Sequence, residues 1–535
     1  MADLVHQLIA QGAERVPAAE ALCYQAQKLS YAELDAQVGL LAHALLQEGI
    51  GRSERVAVYL EKRIETVVAL FGASAAGAVF VPVNPLLKAD QLAHILNDCT
   101  VSVLVTSADR LAALAPALAA CPGLRTVIVA GSKPGTAPAL QAAVTCKLLL
   151  WEECLQAPAT SLSMQPHRCI DSDVAAILYT SGSTGRPKGV VLSHRNLLAG
   201  ARSVAGYLGN TPDDRILAVL PLSFDYGLSQ LTTAFLSGAT AVLMNYLLPR
   251  DVVSIVSAER ITGLAAVPPL WMQLAQQNWP ADCSLRYLTN SGGAMPRPTL
   301  QALRAALPAA QVFLMYGLTE AFRSTYLPPS QLDARPDSMG RAIPNAEIVV
   351  VRPDGTPCAP DEPGELVHRG ALVALGYWND AQKTAERFKP LPQALTGLPF
   401  PEIAVWSGDT VRMDKEGYLY FIGREDDMIK VSGYRISPTE VEEVLYSFPG
   451  LEELAAIGVP HPQLGQAIVA VVKQNAAASL DADALRKECQ RRLPAYMVPA
   501  HIELEAASLP RNPNGKIDRK ALQARFADLF NHQKK

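Results

Sequence analysis

The nine cysteines form no CxxC pair and no Cys/His array at zinc spacing. A disulfide framework and a structural metal are therefore not expected, and reduced thiols in a cytoplasmic protein fit the pattern better. An excess of one charge is also missing. Lys plus Arg total 47 against 51 Asp plus Glu, for a net charge of -4, and no long basic run occurs. That balance argues against a nucleic-acid binder, and any polyanion the protein handles should be small. The longest uncharged run, "TVVALFGASAAGAVFVPVNPLL", is Ala- and Gly-rich and ends in two prolines. It suits a buried helix followed by a strand better than a membrane span. The start, "MADLVHQLIAQGAERVP", lacks the basic n-region, apolar stretch and cleavage site of a signal peptide and reads as an amphipathic helix. No internal repeat of the length that builds solenoids is found.

What is present is an alternation. Short apolar runs of strand type ("RVAVYL", "VFVPV", "VSVLVT", "TVIVAG", "ILAVL", "TAVLM", "VFLMYG") are separated by amphipathic helical stretches. Leu34, Val38, Leu41 and Leu45 recur at spacings that lay one apolar stripe along a helix able to cover a sheet. The expected class is α/β, with a large N-terminal domain over 1–425 and a smaller unit over 426–535. The boundary falls after "YLYFIGRED", where Ser437, Pro438 and Glu440 predict a capping box with proline at the first helical position. Upstream, "KPLPQALTGLPFPEIA" holds four prolines and reads as an extended surface segment outside the core.

One loop concentrates chemistry. In "YTSGSTGRPKG", Thr180, Ser181, Gly182, Ser183, Thr184 and Gly185 precede Lys188. Its glycines let backbone N–H groups turn inward, its hydroxyls add donors and the lysine adds a compact positive charge, which together suit a phosphate chain. An ordinary flexible turn has the same composition. The loop is not a Walker A motif, because Pro187 stands where the glycine before the lysine belongs and Gly189 where Ser or Thr belongs.

Together with "NSGGAMP", "YGLTEA", "GELVHRG", "WSGDTVRMDKEGYLYFIGREDDMIKVSGYRISPTEVE" and "LPRNPNGKIDRKAL", in order along nearly the whole chain, the loop resembles the AMP-forming, adenylate-forming enzymes. That superfamily includes acyl- and aryl-CoA synthetases, adenylation domains and firefly-type luciferases. The resemblance implies ATP, Mg²⁺ and coenzyme A or a phosphopantetheine carrier. It places the Thr180–Lys188 loop, Ser291, Gly292, Gly293 and Ala294 of "SGGA", Tyr316 and Gly317 around the nucleotide. It puts Thr319 on the α-phosphate, Glu320 on Mg²⁺ and Asp409 and Arg424 on the ribose; paired carboxylate oxygens can accept from both ribose hydroxyls. It also implies a multi-sheet large domain with a small mobile α+β C-terminal domain, a hinge at Asp426, a pantetheine tunnel lined by Gly433 and a catalytic lysine, Lys516, projected by the tight Asn514-Gly515 turn. Each motif alone has a plainer reading as a turn, a helix cap or solvated surface. His194, at a predicted helix start capped by Ser193, is read as structural.

The implied reaction activates a carboxylate as acyl-AMP with release of pyrophosphate, then transfers the acyl group to a pantetheine thiol. Two anions must approach, so positioning and positive charge supply most of the catalysis. In "LPLSFDYGL", Phe224 takes the place of a gating aromatic. Asp225 stands where amino-acid-activating relatives bind an α-amino group, the alternative being an aspartate that caps a helix beginning near Tyr226. Arg323 either pairs with a substrate carboxylate or phosphate or snorkels to the surface. "LPLSFDYGLSQL" and "MYGLTEAFRSTYLPP" look most like the bacterial acyl-CoA ligases associated with exosortase A systems. The alternatives are an amino-acid adenylating enzyme that loads a free-standing carrier protein, a luciferase-like monooxygenase and a non-catalytic nucleotide-binding scaffold.

Overall fold

The computed structural model describes residues 2–530 other than 133–134, 136, 157–164, 181–186, 393–394, 396, 398, 425–426, 432–433, 476–479 and 513–514. All seven apolar runs form strands: Arg55–Val58, Val79–Pro82, Val101–Ser107, Thr126–Ala130, Arg215–Ala218, Thr240–Leu243 and Gln311–Leu318. Among the described residues they fall into two large sheets, of eight and nine strands. The central pairings of both are parallel, so helices must cover the faces. The uncharged run gives the helix Ile64–Ala75 and the strand Val79–Pro82, and among the described residues no helix is long and apolar enough to cross a membrane.

The helices Tyr31–Gln47, Ile64–Ala75 and Asp225–Ser237 contribute to one core with strands of both sheets. Leu34, Val38, Leu41 and Leu45 are all buried there. Ile64–Ala75 is buried on nearly every side, as its uniformly apolar sequence requires. Gly72 permits its approach to Tyr31–Gln47, because a Cβ there would lie 2.9 Å from Leu41 Cδ2. Two five-stranded sheets complete the fold, one antiparallel over 346–424 and one within 429–505. The second has its own cores on its two faces. Ser437 caps the helix Pro438–Tyr446, but its hydroxyl accepts from Thr439 N–H and the reciprocal Glu440 bond of a capping box is absent. The proline-rich segment also departs from expectation: Leu391 is buried against Trp406, because Phe388–Pro390 pairs with the strand Ile403–Met413.

None of the nine cysteines is disulfide-bonded, and five are buried. Burial pushes every one of these thiols above its usual pKa, to about 12 at Cys99 and Cys154. His194 begins the helix His194–Leu208, which Ser193 caps, and its Nδ1 accepts from Val5 N–H at 3.1 Å. Burial lowers His194 to about 4, and His368, whose ring nitrogens have no partner among the described residues, to about 3. Both fall below the unfolded value of 6.5, so below that pH the unfolded chain takes up protons the fold refuses. The thermal midpoint is expected to fall as pH drops from 6.5 through about 4, with a shallower slope in His368→Phe. An identical slope in the variant would remove His368 from that account.

Candidate active site

The strand Val174–Thr180 pairs antiparallel with Lys188–Ser193, setting Thr180 opposite Lys188. Ser181, Gly182, Ser183, Thr184 and Gly185 lie outside the described residues. The short strand Gly376–Tyr377 lies along the other edge of Lys188–Ser193, and Trp378 N–H donates to Gly189 O at 2.8 Å. This places Lys188 Nζ 5.6 Å from the centre of the Tyr377 ring. Tyr377 Oη donates to Glu320 Oε1 at 2.6 Å, so one phenol links the lysine to the carboxylate. Partial burial, followed by the like charge of Lys383, holds the Lys188 ammonium below the usual lysine range.

Glu320 sits in the turn between the antiparallel strands Gln311–Leu318 and Phe322–Leu327. Gly317 lets the turn close: a Cβ there would stand 2.0 Å from Phe322 O. Thr319 is buried and its hydroxyl donates to Asp225 Oδ1 at 3.3 Å. Tyr316 donates its phenol proton to Asp409 Oδ2, and Arg424 Nε donates to Oδ1 at 2.7 Å. The Asp409 backbone N–H is held by Ser407 Oγ at 3.0 Å. Burial and the Asp409 charge keep the Tyr316 phenol well above its usual pKa, so it remains a donor. Asp409 retains unused lone pairs for further donors.

The strand Tyr287–Asn290 ends in buried Ser291, with Gly292 at φ +81° and Gly293 and Ala294 exposed. Asn290 Nδ2 donates to Gly293 O at 2.9 Å and holds this turn. From the far end of the chain, Arg511 bridges to Ile517, and Lys516 N–H donates to Asn512 Oδ1 at 3.0 Å. That turn delivers Lys516 to the wall at Gly292, where an added Cβ would lie 3.6 Å from Cε and 4.0 Å from Nζ. Lys516 is open to the water of the cleft, yet protein surrounds it. The crowding, and the like charge of Arg424, lower its pKa, while Asp225 and Asp409 oppose the shift.

Phe224 N-caps the helix Asp225–Ser237 without a side-chain bond, and its ring meets Tyr226 edge-on at 6.4 Å. Asp225 is thus the first helical residue, not a cap, and its buried carboxylate turns toward Thr319. Burial raises its pKa, opposed by Arg323, Lys516 and the Thr319 bond. Arg323 does not snorkel: it is 1% exposed. The structure therefore gathers Lys188, Glu320, Thr319, Asp225, Asp409, Arg424, Gly292 and Lys516 around one cleft. Asp426 and Gly433 lie outside the described residues.

A family model described as "AMP-binding enzyme" matches residues 9–378, and one described as "AMP-binding enzyme C-terminal domain" matches 440–516. The chain belongs to the AMP-binding enzyme family. Similar curated relatives include a linear gramicidin synthase of Brevibacillus parabrevis, 33% identical over 533 residues. That match spans 97% of this chain but only 6% of the synthase. The L-proline--[L-prolyl-carrier protein] ligase of Pseudomonas fluorescens is 30% identical, over 97% of this chain and 98% of that protein. Among solved structures, ATP-bound MatB from Rhodopseudomonas palustris superposes with TM-score 0.84 at 25% identity, covering 98% of this chain and 99% of the other. o-Succinylbenzoate CoA synthetase (MenE) from Bacillus subtilis, solved with its acyl-adenylate intermediate, gives 0.79 at 27% identity, covering 96% and 97%.

Two residues of this family member's cleft escaped the sequence reading. Tyr377 bonds Glu320 across 57 positions of sequence. His368 stacks on Tyr316 with ring centres 6.1 Å apart. His368 lies within "GELVHRG" but was given no role there; Tyr377 lies in no quoted motif, and the aromatic pair Tyr377-Trp378 beside a glycine was its available signal.

Proposed function

We propose that this protein is an AMP-forming acid–thiol ligase. It activates a carboxylic acid with ATP, releasing pyrophosphate, and passes the acyl group from acyl-AMP to the thiol of coenzyme A or a phosphopantetheine carrier. The observation that carries the reading is the meeting of Lys516, from the last turn of the chain, with Gly292, Asp225 and Asp409 in one cleft. In this reading the residues 1–425 bind nucleotide and acid, and 426–535 form the lid that brings Lys516. Ser291 to Ala294 and Tyr316 border the base, and Asp409 with Arg424 takes the ribose. Lys188 and the loop from Thr180 to Gly185 hold the phosphates, and Thr319 turns from Asp225 to the α-phosphate. Asp426 serves as the hinge and Gly433 lines the thiol tunnel.

Glu320 fits a Mg²⁺ ligand: Tyr377 occupies Oε1, and the other oxygen accepts no hydrogen bond from the described residues. Bound there, the ion supplies charge neutralisation on the phosphates. Lys516 and Lys188 supply fixed positive charge, and no general base is required because a carboxylate is already a nucleophile.

A second reading, an amino-acid adenylating enzyme that loads a carrier protein, is favoured by the buried Asp225 carboxylate at the acid end of the cleft and by the full-length prolyl-carrier ligase relative. We also assign the protein to the cytoplasm and, on "LPLSFDYGLSQL", to the exosortase A-associated group. Acid-dependent ATP–pyrophosphate exchange across fatty, aryl and amino acids tests the proposal. Exchange with any of them supports adenylation, and a signal confined to amino acids selects the carrier-loading form. ATP binding without exchange on any acid would leave a nucleotide-binding scaffold instead.

A further inference from the structure

Arg323 is among the largest fully buried side chains of the protein, and its charge is only partly met. Nη2 donates to Ser229 Oγ, but Nε and Nη1 have no hydrogen-bond partner among the described residues. The Tyr207 phenol also faces the guanidinium, with its own proton given to Met315 Sδ. No carboxylate lies within ion-pair distance of the guanidinium among the described residues. Its planar group stands 4.9 Å from the centre of the Tyr226 ring and 4.4 Å from that of Phe322. Aromatic faces soften the burial of a cation but leave its N–H groups unsatisfied. The buried Asp225 carboxylate opposes its charge from beyond ion-pair distance, but N–H groups of a buried arginine left without acceptors are costly, so such a group persists where something else meets them.

The position of Arg323 says what meets it. Asp225 and Ser229 are four residues apart on the helix Asp225–Ser237 and share one face. One helix face thus carries Asp225, addressed by Thr319 and the Lys516 charge, and one turn on Ser229, bonded by Arg323. An acid activated beside Lys516 would reach Arg323 by running along that face.

We propose that Arg323 receives a second carboxylate of the substrate, so that the acid activated by this enzyme is a dicarboxylic acid or an amino dicarboxylic acid. The inference rests on the ligase reading above and narrows its substrate class. A planar guanidinium with two free N–H directions matches a carboxylate in charge and in geometry. An apolar chain end placed there would leave the same donors unsatisfied and would be rejected. Asp225 adds a second filter: with Arg323 it offers one negative and one positive group, complementary to a substrate carrying both an amino group and a distal carboxylate.

The test is pyrophosphate exchange with matched pairs: succinate against butyrate, glutarate against pentanoate, and L-aspartate and L-glutamate against their amides. The unmutated enzyme is expected to prefer the dicarboxylate of at least one pair by about 30-fold or more in kcat/KM. In Arg323→Met that preference collapses, chiefly through KM, while the thermal midpoint changes little, because the N–H groups without acceptors leave together with a charge that opposes the raised Asp225 pKa. Exchange that favours the monocarboxylate or the amide in every active pair would overturn this inference and leave the ligase reading standing. Exchange with no acid at all would overturn both. If the methionine variant does not fold, the discrimination shown by the unmutated enzyme decides.

Discussion

Replacement of Lys516 by alanine is expected to lower acid-dependent pyrophosphate exchange on the order of 1,000-fold, with thioester formation from preformed acyl-AMP little changed. The asymmetry follows from where the charge is needed. Adenylation brings a carboxylate onto a phosphate, and Lys516 is the cation placed beside Gly292 and facing both Asp225 and Asp409. Lys188 cannot stand in for it, because it sits over Tyr377 on the Glu320 side of the cleft. Thiol attack on acyl-AMP has no such approach of two anions to offset. Single-turnover assays of the two half-reactions measure the split, and equal losses in both would remove Lys516 from its assigned role. Since crowding lowers the Lys516 pKa, the alkaline decline of exchange should begin at lower pH than for a free lysine.

The second large effect is expected at Glu320. Glu320→Gln keeps an oxygen for the Tyr377 hydroxyl and so preserves the local structure, but it removes the charge proposed to hold Mg²⁺. Exchange should fall about 100-fold at fixed Mg²⁺ and recover in part as Mg²⁺ is raised. Thermal stability should be unchanged. A Mg²⁺ titration curve superimposable on that of the unmutated enzyme would assign the ion elsewhere.

Most of the scaffold was legible because it is local. The strand runs are short, β-branched and bounded by turn residues, and the Leu34 to Leu45 stripe keeps one helical face. The ordered motifs likewise named most residues that the cleft brings together. What the sequence withheld depends on register between distant elements. Arg323 looks like any strand arginine until Phe322–Leu327 pairs with Gln311–Leu318 and seals it against Tyr226 and Ser229. Tyr377 becomes meaningful only when its two-residue strand docks on the edge that bears Lys188. The proline-rich stretch lies mostly at the surface, as its composition signalled, but Leu391 found a partner in Trp406.

The nine buried or half-buried thiols acquire a chemical meaning beside such a cleft. An acyl-adenylate is a mixed anhydride that acylates any thiolate within reach, and thiolate, not thiol, is the nucleophile. Here burial is the first cause of a raised pKa at all nine cysteines, from Cys23 to Cys489. At neutral pH the chain offers such an intermediate almost no competing thiolate. Under the ligase reading the fold thereby keeps its own thiols out of competition with the thiol that arrives from outside.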